Sequence, residues 1–211
     1  MKKRNGYMKA HLFAAPLVRF FCHVKPIGLE NIPAEGGYIL CANHIAVRDV
    51  LLIAAACPRQ VKYIAKKELF SVPVIGWIIK KLGAVSVDRG GNDVGAIRTA
   101  VRLAQEGDLV AIFPQGHRYP GCEPGTTPYK NGAGLIAYKS GKDVIPICLK
   151  TKNIKYAPFR KVEVIFGKPI KSESFNFSKG GTEEYEAATL LIMSEIARLG
   201  GYGAKSEEEQ T

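Results

Sequence analysis

The sequence predicts a single α/β domain with a largely parallel β-sheet covered by helices, preceded by an N-terminal amphipathic helical segment. The chain has 211 residues, 46% of them hydrophobic, which is enough to bury one substantial core. No Pro/Gly/Ser-rich linker divides it. Its short hydrophobic runs are apolar throughout, which is typical of strands buried on both faces of a sheet. Helical stretches separate these runs, and this order favours parallel strands.

Each element follows from a local pattern of hydrophobic residues. Apolar runs predict strands at residues 38–42, 61–65, 84–88, 109–113, 144–149 and 162–166. Helical periodicity predicts helices at 49–56, 67–82, 93–105, 134–139 and 183–199. We therefore expect an interfacial segment at 1–27, the folded domain at 28–199 and a disordered tail at 200–211.

The N-terminal segment carries an apolar stripe next to basic residues. At helical spacing the stripe contains Phe13, Leu17, Phe20, Phe21 and Val24, and the preceding residues include Lys2, Lys3, Arg4 and Lys9. This combination suits the plane of an anionic membrane surface, whereas the alternative is a helix packed on its own domain. Pro16 argues against one straight helix. No apolar run reaches the roughly 18–20 residues that span a bilayer.

Charge and cysteine content narrow the class of protein further. The net charge is +11, and residues 1–170 hold 26 basic against 11 acidic side chains, an excess that attracts polyanions. Nucleic acid is not the expected partner, because P-loop, zinc-finger and RNA-binding motifs are lacking. The five cysteines are odd in number and far apart, which indicates reduced thiols of a cytosolic protein. Four scattered histidines predict no metal site, and we expect no cofactor.

The turn after the first predicted strand carries the candidate catalytic pair. His44 and Asp49 lie five residues apart, so on one regular helix they would diverge. They meet if His44 lies in the turn and Asp49 begins the helix. Asp49 then fixes the imidazole tautomer and leaves the other ring nitrogen free to take a proton. The alternative is a capping aspartate beside a structural histidine, and the pair alone has little specificity.

Three further strand ends carry weaker signals. Arg89 follows the strand at 84–88 and could bind a phosphate, although this turn taken alone favours a surface ion pair with Asp88. Gly116 and Arg118 follow the strand at 109–113, where a glycine allows a peptide N–H to approach an oxyanion. Pro146 interrupts the strand at 144–149, which indicates a sheet edge, a substrate groove or simple packing.

The order and spacing of these blocks resemble the glycerolipid acyltransferase family, in particular the bacterial 1-acylglycerol-3-phosphate acyltransferases. That family has N-H-x₄-D, G-x-[IV]-x-[IV]-x-R, F-P-E-G-T-R and [VI]-P-[VI] blocks in this order. The matching blocks here begin at Asn43, Gly83, Phe113 and Ile145. The resemblance implies that His44 is the base and Asp49 its partner, and that the Gly116 region serves the tetrahedral intermediate. It also implies that Lys66, Arg89, Gln115 and Arg118 form the substrate-binding end.

The third block departs from the family pattern. Gln115 stands where the family usually has Glu, and His117 where it usually has Thr. Gln115 still forms hydrogen bonds, but it cannot act as a carboxylate base, so it leaves the phosphate end more positive. Because His44 and Asp49 are intact, loss of activity is not implied. No serine or cysteine lies within the motif as a nucleophile, although Cys41 is only three residues from His44.

The resemblance implies acyl transfer from acyl-CoA or acyl carrier protein to the free hydroxyl of 1-acylglycerol 3-phosphate, which forms phosphatidic acid. The enzyme would be peripheral (monotopic) at the cytoplasmic face of the cell membrane, with the lysophospholipid acceptor and the anionic membrane surface as partners. Glycerol 3-phosphate or a lyso-aminolipid remains an alternative acceptor. A non-catalytic basic membrane-binding protein is the other alternative.

Overall fold

The computed structural model describes residues 13–87 and 94–203. Arg89, residues 1–12 with the four basic residues near the start, and residues 204–211 of the predicted tail lie outside the described residues. The side chain of Lys66 is outside the description as well.

The centre of the molecule is a seven-stranded sheet with the order β1-β7-β6-β2-β5-β3-β4. Its strands are β1 (Val24–Ile27), β2 (Tyr38–Ala42), β3 (Val61–Lys66), β4 (Val85–Val87), β5 (Leu109–Ile112), β6 (Val144–Lys150) and β7 (Val162–Phe166). Neighbouring strands are parallel except for β6 and β7, which are antiparallel. The predicted α/β class with a largely parallel sheet is confirmed.

Helices cover both faces of this sheet. The described chain has α1 (Asp49–Ala56), α2 (Pro73–Lys81), α3 (Val94–Gln105), α4 (Gly132–Ser140) and α5 (Thr182–Gly200). Helix α1 contributes Leu52 and Ile53 to a core cluster with Leu40 and Ile145 on one face. Successive side chains of a strand point to opposite faces of the sheet. On the other face, α3, α4 and α5 pack against the strand side chains that do not face α1. The predicted helix at 67–82 is divided into a 3₁₀ turn (Lys67–Phe70) and α2.

The N-terminal part differs from the predicted boundary at residue 27. Residues 13–21 are helical, but Val24–Ile27 form β1, which pairs with β7 at the sheet edge. Val24 is therefore a buried strand residue, and its assignment to the apolar stripe of the helix was wrong. An edge strand pairs on one side only, so it tolerates Lys25 and Pro26. These two residues break the apolar run by which a strand is predicted from sequence.

The helical segment at 13–21 is attached to the domain by a polar contact. Arg19 donates from Nε to the carbonyl oxygen of Ala55 (2.7 Å) and from Nη2 to that of Ala56 (3.1 Å). These carbonyls are in the last turn of α1, where they have no partner within the helix and where a cation is favourable. Ala15 is buried, whereas the aromatic side of the segment is exposed, with Phe13 74%, Leu17 59%, Phe20 75% and Phe21 73% accessible.

Pro146 lies in a strand with neighbours on both sides, not at a sheet edge. It aligns with Cys41 of β2, and its carbonyl accepts a hydrogen bond from the Gly167 N–H (2.8 Å) just beyond the end of β7. In an antiparallel pair the N–H and the carbonyl of one residue face the same neighbouring strand. The side of Pro146 that lacks an N–H therefore faces Gly167, where β7 has already ended and no regular hydrogen bond is lost. The strand therefore tolerates a proline at this position.

Candidate active site

Parallel strands bring the predicted functional turns to one edge of the sheet. His44 follows β2, the loop at 114–130 follows β5, and Lys66 ends β3. Strand β6 also ends here, at Lys150. In open α/β sheets the carboxyl ends of the strands are where ligands bind. The sheet therefore places the backbone of all these positions at the edge suited to chemistry.

His44 and Asp49 are in direct contact. His44 Nδ1 lies 2.7 Å from Asp49 Oδ2, and the imidazole side chain is 17% exposed while the carboxylate is fully buried. His44 lies in the turn between β2 and α1, and Asp49 is the first residue of α1. Because a carboxylate only accepts, Nδ1 carries the proton, and Nε2 has no hydrogen-bond partner within the described chain. The contact therefore leaves Nε2 as the ring nitrogen without a partner in the described chain.

The Asp49 carboxylate accepts four hydrogen bonds. Besides the imidazole, Oδ2 accepts from the backbone N–H groups of Ile45 (2.6 Å) and Ala46 (2.9 Å). Oδ1 accepts from the hydroxyl of Tyr156 (2.7 Å). A buried carboxylate without a paired cation needs donors of this number to remain charged. Three of the donors come from the turn at residues 44–46, and the fourth comes from a tyrosine that is distant in sequence.

Tyr156 is a site residue that the sequence analysis missed. Burial, followed by the neighbouring Asp49 carboxylate, raises the pKa of Tyr156 far above its ordinary value, so its hydroxyl remains a donor. The Arg48 guanidinium lies 4.0 Å from the centre of the tyrosine ring. Tyr156 is 107 residues from Asp49 in an irregular loop, so no local pattern could have predicted the contact.

The loop after β5 holds the backbone of His44 from both sides. The His44 N–H donates to Gln115 Oε1 (2.6 Å), and its carbonyl accepts from the Tyr119 N–H (2.8 Å). The imidazole stacks on Phe113, with ring centres 4.0 Å apart and planes inclined by 18°. These contacts fix the position and the plane of the imidazole.

Gln115 is buried and bonded at both ends. Its Nε2 donates to the Thr127 hydroxyl (2.6 Å), which in turn donates to the Pro124 carbonyl (2.9 Å). Only 3% of Gln115 is exposed. Its amide oxygen and nitrogen are both engaged by the protein in this arrangement, and a contact between Gln115 and substrate stays a prediction. Gln115 connects His44 to the far end of the loop.

Asn43 connects the turn that holds His44 to the neighbouring strand. Its side chain accepts from the Leu149 N–H (2.7 Å) and donates to the Leu149 carbonyl (3.1 Å), so it replaces a strand partner for β6. Asn43 is buried. It is the first residue of the N-H-x₄-D block, yet the sequence analysis gave it no role. An amide is suited to this position because it both donates and accepts.

Gly116 adopts the backbone conformation that glycine favours, but its own N–H is already used. Its φ is +69°, and a Cβ added there would lie 3.2 Å from the Lys130 side chain. The Gly116 N–H donates to the Phe113 carbonyl (3.0 Å) and closes the turn. The Gly116 N–H is therefore engaged within the loop, and a role of the Gly116 region in stabilising an oxyanion stays a prediction.

Cys41 does not have the environment of a nucleophile. Its thiol is fully buried in β2, and this burial raises its pKa far above the ordinary value of a thiol. The side chain belongs to the core cluster under α3, α4 and α5, away from the cluster packed on α1. A buried protonated thiol neither attacks a carbonyl nor reaches solvent.

Of the predicted phosphate ligands, Arg118 is described in full. It lies exposed in the loop after β5, two residues beyond Gly116. The backbone of Lys66 ends β3, which adjoins β5 in the sheet. Arg89 lies outside the described residues. Within residues 13–87 and 94–203, no helix has both the length and the apolar character needed to cross a membrane.

Comparison with known proteins identifies the chemistry. A family model described as Acyltransferase matches residues 23–150, more than half of the chain. The 1-acyl-sn-glycerol-3-phosphate acyltransferase of Bacillus subtilis is 33% identical over 155 residues, which are 72% of this chain and 76% of that protein. The chloroplastic enzyme BAT2 of Brassica napus, with the same name, is 32% identical over 151 residues, and the chain spans 43% of its length.

A solved structure agrees in fold over most of the chain. The crystal structure of the 1-acyl-sn-glycerophosphate (LPA) acyltransferase PlsC from Thermotoga maritima superimposes with a TM-score of 0.64 at 25% identity. The match covers 90% of this chain and 81% of that one. Together with the family model, these similarities show that the chain belongs to the acyltransferase family and is an acyltransferase.

Proposed function

We propose that the enzyme transfers a fatty acyl group from acyl-CoA or acyl carrier protein to the free hydroxyl of 1-acylglycerol 3-phosphate, forming phosphatidic acid for phospholipid biosynthesis. Relatives from a bacterium and a chloroplast, and a solved structure, are named for this reaction. The observation that carries the proposal is the 2.7 Å contact between His44 Nδ1 and Asp49 Oδ2 at the carboxyl end of the sheet.

In this proposal His44 is the general base. Nε2 takes the proton of the acceptor hydroxyl while the hydroxyl oxygen attacks the thioester carbonyl carbon. Asp49 holds the Nδ1 proton and stabilises the imidazolium that forms. When the tetrahedral intermediate collapses, the carbon–sulfur bond breaks and the imidazolium returns its proton to the leaving thiolate. Atoms and charge balance without a covalent acyl-enzyme, and the burial of Cys41 supports this direct route.

The oxyanion of the tetrahedral intermediate requires donors near the base. The Gly116 N–H is engaged with Phe113, so we assign the task to the peptide N–H groups of His117 and Arg118, which follow in the exposed turn. The positive φ of Gly116 supports this assignment, because it turns the chain away from β5 immediately before these amides.

We assign the lysolipid phosphate to Lys66, Arg89 and Arg118. Their strands, β3, β4 and β5, are neighbours in the sheet, so their carboxyl ends lie on one side of His44. A guanidinium binds phosphate through two parallel hydrogen bonds, whereas a lysine adds a point charge. Gln115 is left out of this group because its amide is bonded within the protein.

We further propose that the helical segment at 13–21 lies in the plane of an anionic membrane at its cytoplasmic face. Its apolar side chains point outward while Arg19 fixes the segment to α1, an orientation that supports membrane contact over packing on the domain. Such a position would place the site where a lysolipid acceptor is found.

The test is transfer of a radiolabelled acyl group to lysophosphatidic acid on vesicles, with acyl-CoA and acyl carrier protein offered separately. We expect wild-type protein to form phosphatidic acid and folded His44→Ala protein to be slower by about 10²–10⁴-fold, the usual contribution of a general base. His23→Asn is a control histidine in an exposed turn before β1, away from the turns that carry the site, and should retain activity. Near-normal turnover by His44→Ala would remove the base assignment.

Acceptor choice is tested in the same assay. Glycerol 3-phosphate and a lyso-aminolipid are offered in place of lysophosphatidic acid, because the altered third block leaves these acceptors open. Product from one of them alone would reassign the substrate. Absence of product from every acceptor, with the protein folded and bound to vesicles, would favour a non-catalytic membrane-binding role.

A further inference from the structure

The loop at 155–161 presents a large aromatic side chain to solvent. Phe159 is 89% exposed, more than any other large hydrophobic residue of the described chain. A turn closed by the Arg160 N–H and the Ala157 carbonyl (3.3 Å) places it at the tip. Its φ is +59°, a region that bulky residues other than glycine rarely adopt. The exposed ring leaves a large apolar area in contact with water, and contact with an apolar partner would remove that area from water.

Phe159 is continuous with the exposed face of the N-terminal helical segment. Its ring centre lies 6.1 Å from that of His23, and Phe21 borders the same shallow depression. Phe20 and Phe21 are in edge-to-face contact at 5.4 Å. We call this group the aromatic patch, and it consists of Phe13, Leu17, Phe20, Phe21 and Phe159.

The two segments that form the patch carry cations and no acidic residue. The loop carries Lys155, Arg160 and Lys161, and it has no acidic residue between positions 155 and 161. Residues 13–25 likewise contain no Asp or Glu. Lys161 is paired with Glu163 (2.8 Å). Exposed aromatic side chains on segments that carry only basic charges match the surface of an anionic bilayer, where aromatic rings lie at headgroup depth. Two copies of this chain meeting through the patch would oppose like charges.

The loop also reaches the catalytic pair. Tyr156, three residues before Phe159, donates to Asp49, and Arg48 stacks on its ring. A bilayer that contacts Phe159 therefore lies beside the His44 turn. We propose that the 155–161 loop is a second membrane-contact element, in which Phe159 enters the interface of an anionic bilayer next to the N-terminal helical segment. The proposed function explains why such a contact would be useful, and the inference rests on it in that respect alone. Insertion of Phe159 into a bilayer can be measured without any acyl transfer.

Tryptophan fluorescence tests the insertion directly. Trp77 is the single tryptophan, so Phe159→Trp is placed in a Trp77→Phe background. Leu190→Trp in the same background is the matched control, because Leu190 is 52% exposed on α5, across the sheet from α1. With phosphatidylcholine/phosphatidylglycerol vesicles we expect a blue shift and protection from acrylamide at position 159 and neither at position 190. Unchanged emission at 159 on vesicles that bind the protein would overturn the proposal.

The same probe separates a bilayer from a second copy of the chain. Blue-shifted, protected emission at 159 that grows with protein concentration in the absence of vesicles would show that the patch joins two copies, and would overturn the proposal. We expect emission at 159 to be independent of concentration without lipid.

Vesicle affinity supplies a second measurement. Phe159→Ala should lower partition onto anionic vesicles about tenfold, the effect of losing one partly inserted aromatic side chain. Arg160→Gln should lower it about fivefold on anionic vesicles and leave partition onto pure phosphatidylcholine unchanged. Leu190→Ala is the control with no expected loss. Equal partition of wild type and Phe159→Ala would contradict the proposal.

Activity in detergent distinguishes this proposal from the proposed function. Phe159→Ala should retain kcat on lysophosphatidic acid dispersed in detergent, where no bilayer is needed. Insertion at 159 without acyl transfer by wild type would refute the proposed function and leave the membrane contact standing. Acyl transfer without insertion at 159 would refute the membrane contact alone.

Discussion

Asp49→Asn removes the charge of the proposed catalytic pair with little change in shape. Asp49 Oδ2 accepts from His44, Ile45 and Ala46, so in the variant the amide oxygen must occupy this position. The amide nitrogen then faces the hydroxyl of Tyr156, which can rotate its hydrogen away and accept. All four contacts survive as neutral hydrogen bonds, and the imidazole tautomer is retained. The substitution therefore isolates the contribution of the negative charge.

The magnitude follows from two losses. A hydrogen bond to a charged group contributes about 1.5–3 kcal/mol, against about 0.5–1.5 kcal/mol for a neutral one. The imidazolium that develops in the transition state also loses part of a Coulomb attraction of about 4 kcal/mol at 4 Å and an effective dielectric constant of 20. We take the sum as about 3–4 kcal/mol of lost transition-state stabilisation. This corresponds to a fall in kcat of about 10²–10³-fold.

The assay is single-turnover acyl transfer to lysophosphatidic acid, with the free energy of unfolding measured in urea. Asp108→Asn is the matched control, because Asp108 precedes β5 at the opposite edge of the sheet. We expect the control to retain activity, and Asp49→Asn to unfold within about 2 kcal/mol of wild type because no buried donor is orphaned. Folded Asp49→Asn with turnover within threefold of wild type would refute a catalytic role for the carboxylate.

Three further changes probe the loops around the site. Gln115→Ala should lower the free energy of unfolding in urea by about 1–3 kcal/mol, since it orphans the His44 N–H, whereas the exposed Gln105→Ala should change it by less than about 0.5 kcal/mol. Arg118→Ala should raise KM for lysophosphatidic acid about tenfold with little change in kcat, and an equal change for an uncharged monoacylglycerol would argue against phosphate binding. Hydrogen bonds from the Ser178 hydroxyl and three backbone N–H groups lower the pKa of Glu184, so they stabilise the protein above the unfolded carboxyl pKa and are lost as pH falls through the folded value. Urea midpoints at pH 7 and pH 3 should therefore differ less in Glu184→Gln than in wild type, and an equal difference would contradict this account.

The sheet was predictable where a strand is buried on both faces. Strand β2 and helix α1 have the predicted bounds, because the first is apolar throughout and the second contains no Gly or Pro to interrupt it. Strand β1 was missed because Val-Lys-Pro-Ile has neither an apolar run nor a clean alternation. Its position depends on pairing with β7, which begins 138 residues after β1 begins. A contact of that separation leaves no local periodicity to detect.

The contact between His44 and Asp49 was predictable, but most of the side chains that support it were not. His44 and Asp49 are joined by a turn of local sequence, so their spacing carries information about their contact. Tyr156 reaches Asp49 and Asn43 reaches Leu149 across more than 100 residues, and one tyrosine or asparagine in a loop is too common to signal either contact. The sequence therefore indicated which side chains could do the chemistry, and the fold was needed to show what holds them in place.

The glutamine in the third block is explained by the direction of its hydrogen bonds. The His44 N–H needs an acceptor, and the Thr127 hydroxyl, which donates to the Pro124 carbonyl, needs a donor. An amide supplies both at once, whereas a carboxylate would oblige Thr127 to donate toward it and leave the Pro124 carbonyl without that hydrogen. Gln115 therefore suits a structural task beside His44 and requires no proton transfer of its own. Departure from the usual glutamate is compatible with a working base, because the atoms that we assign to proton transfer belong to His44 and Asp49.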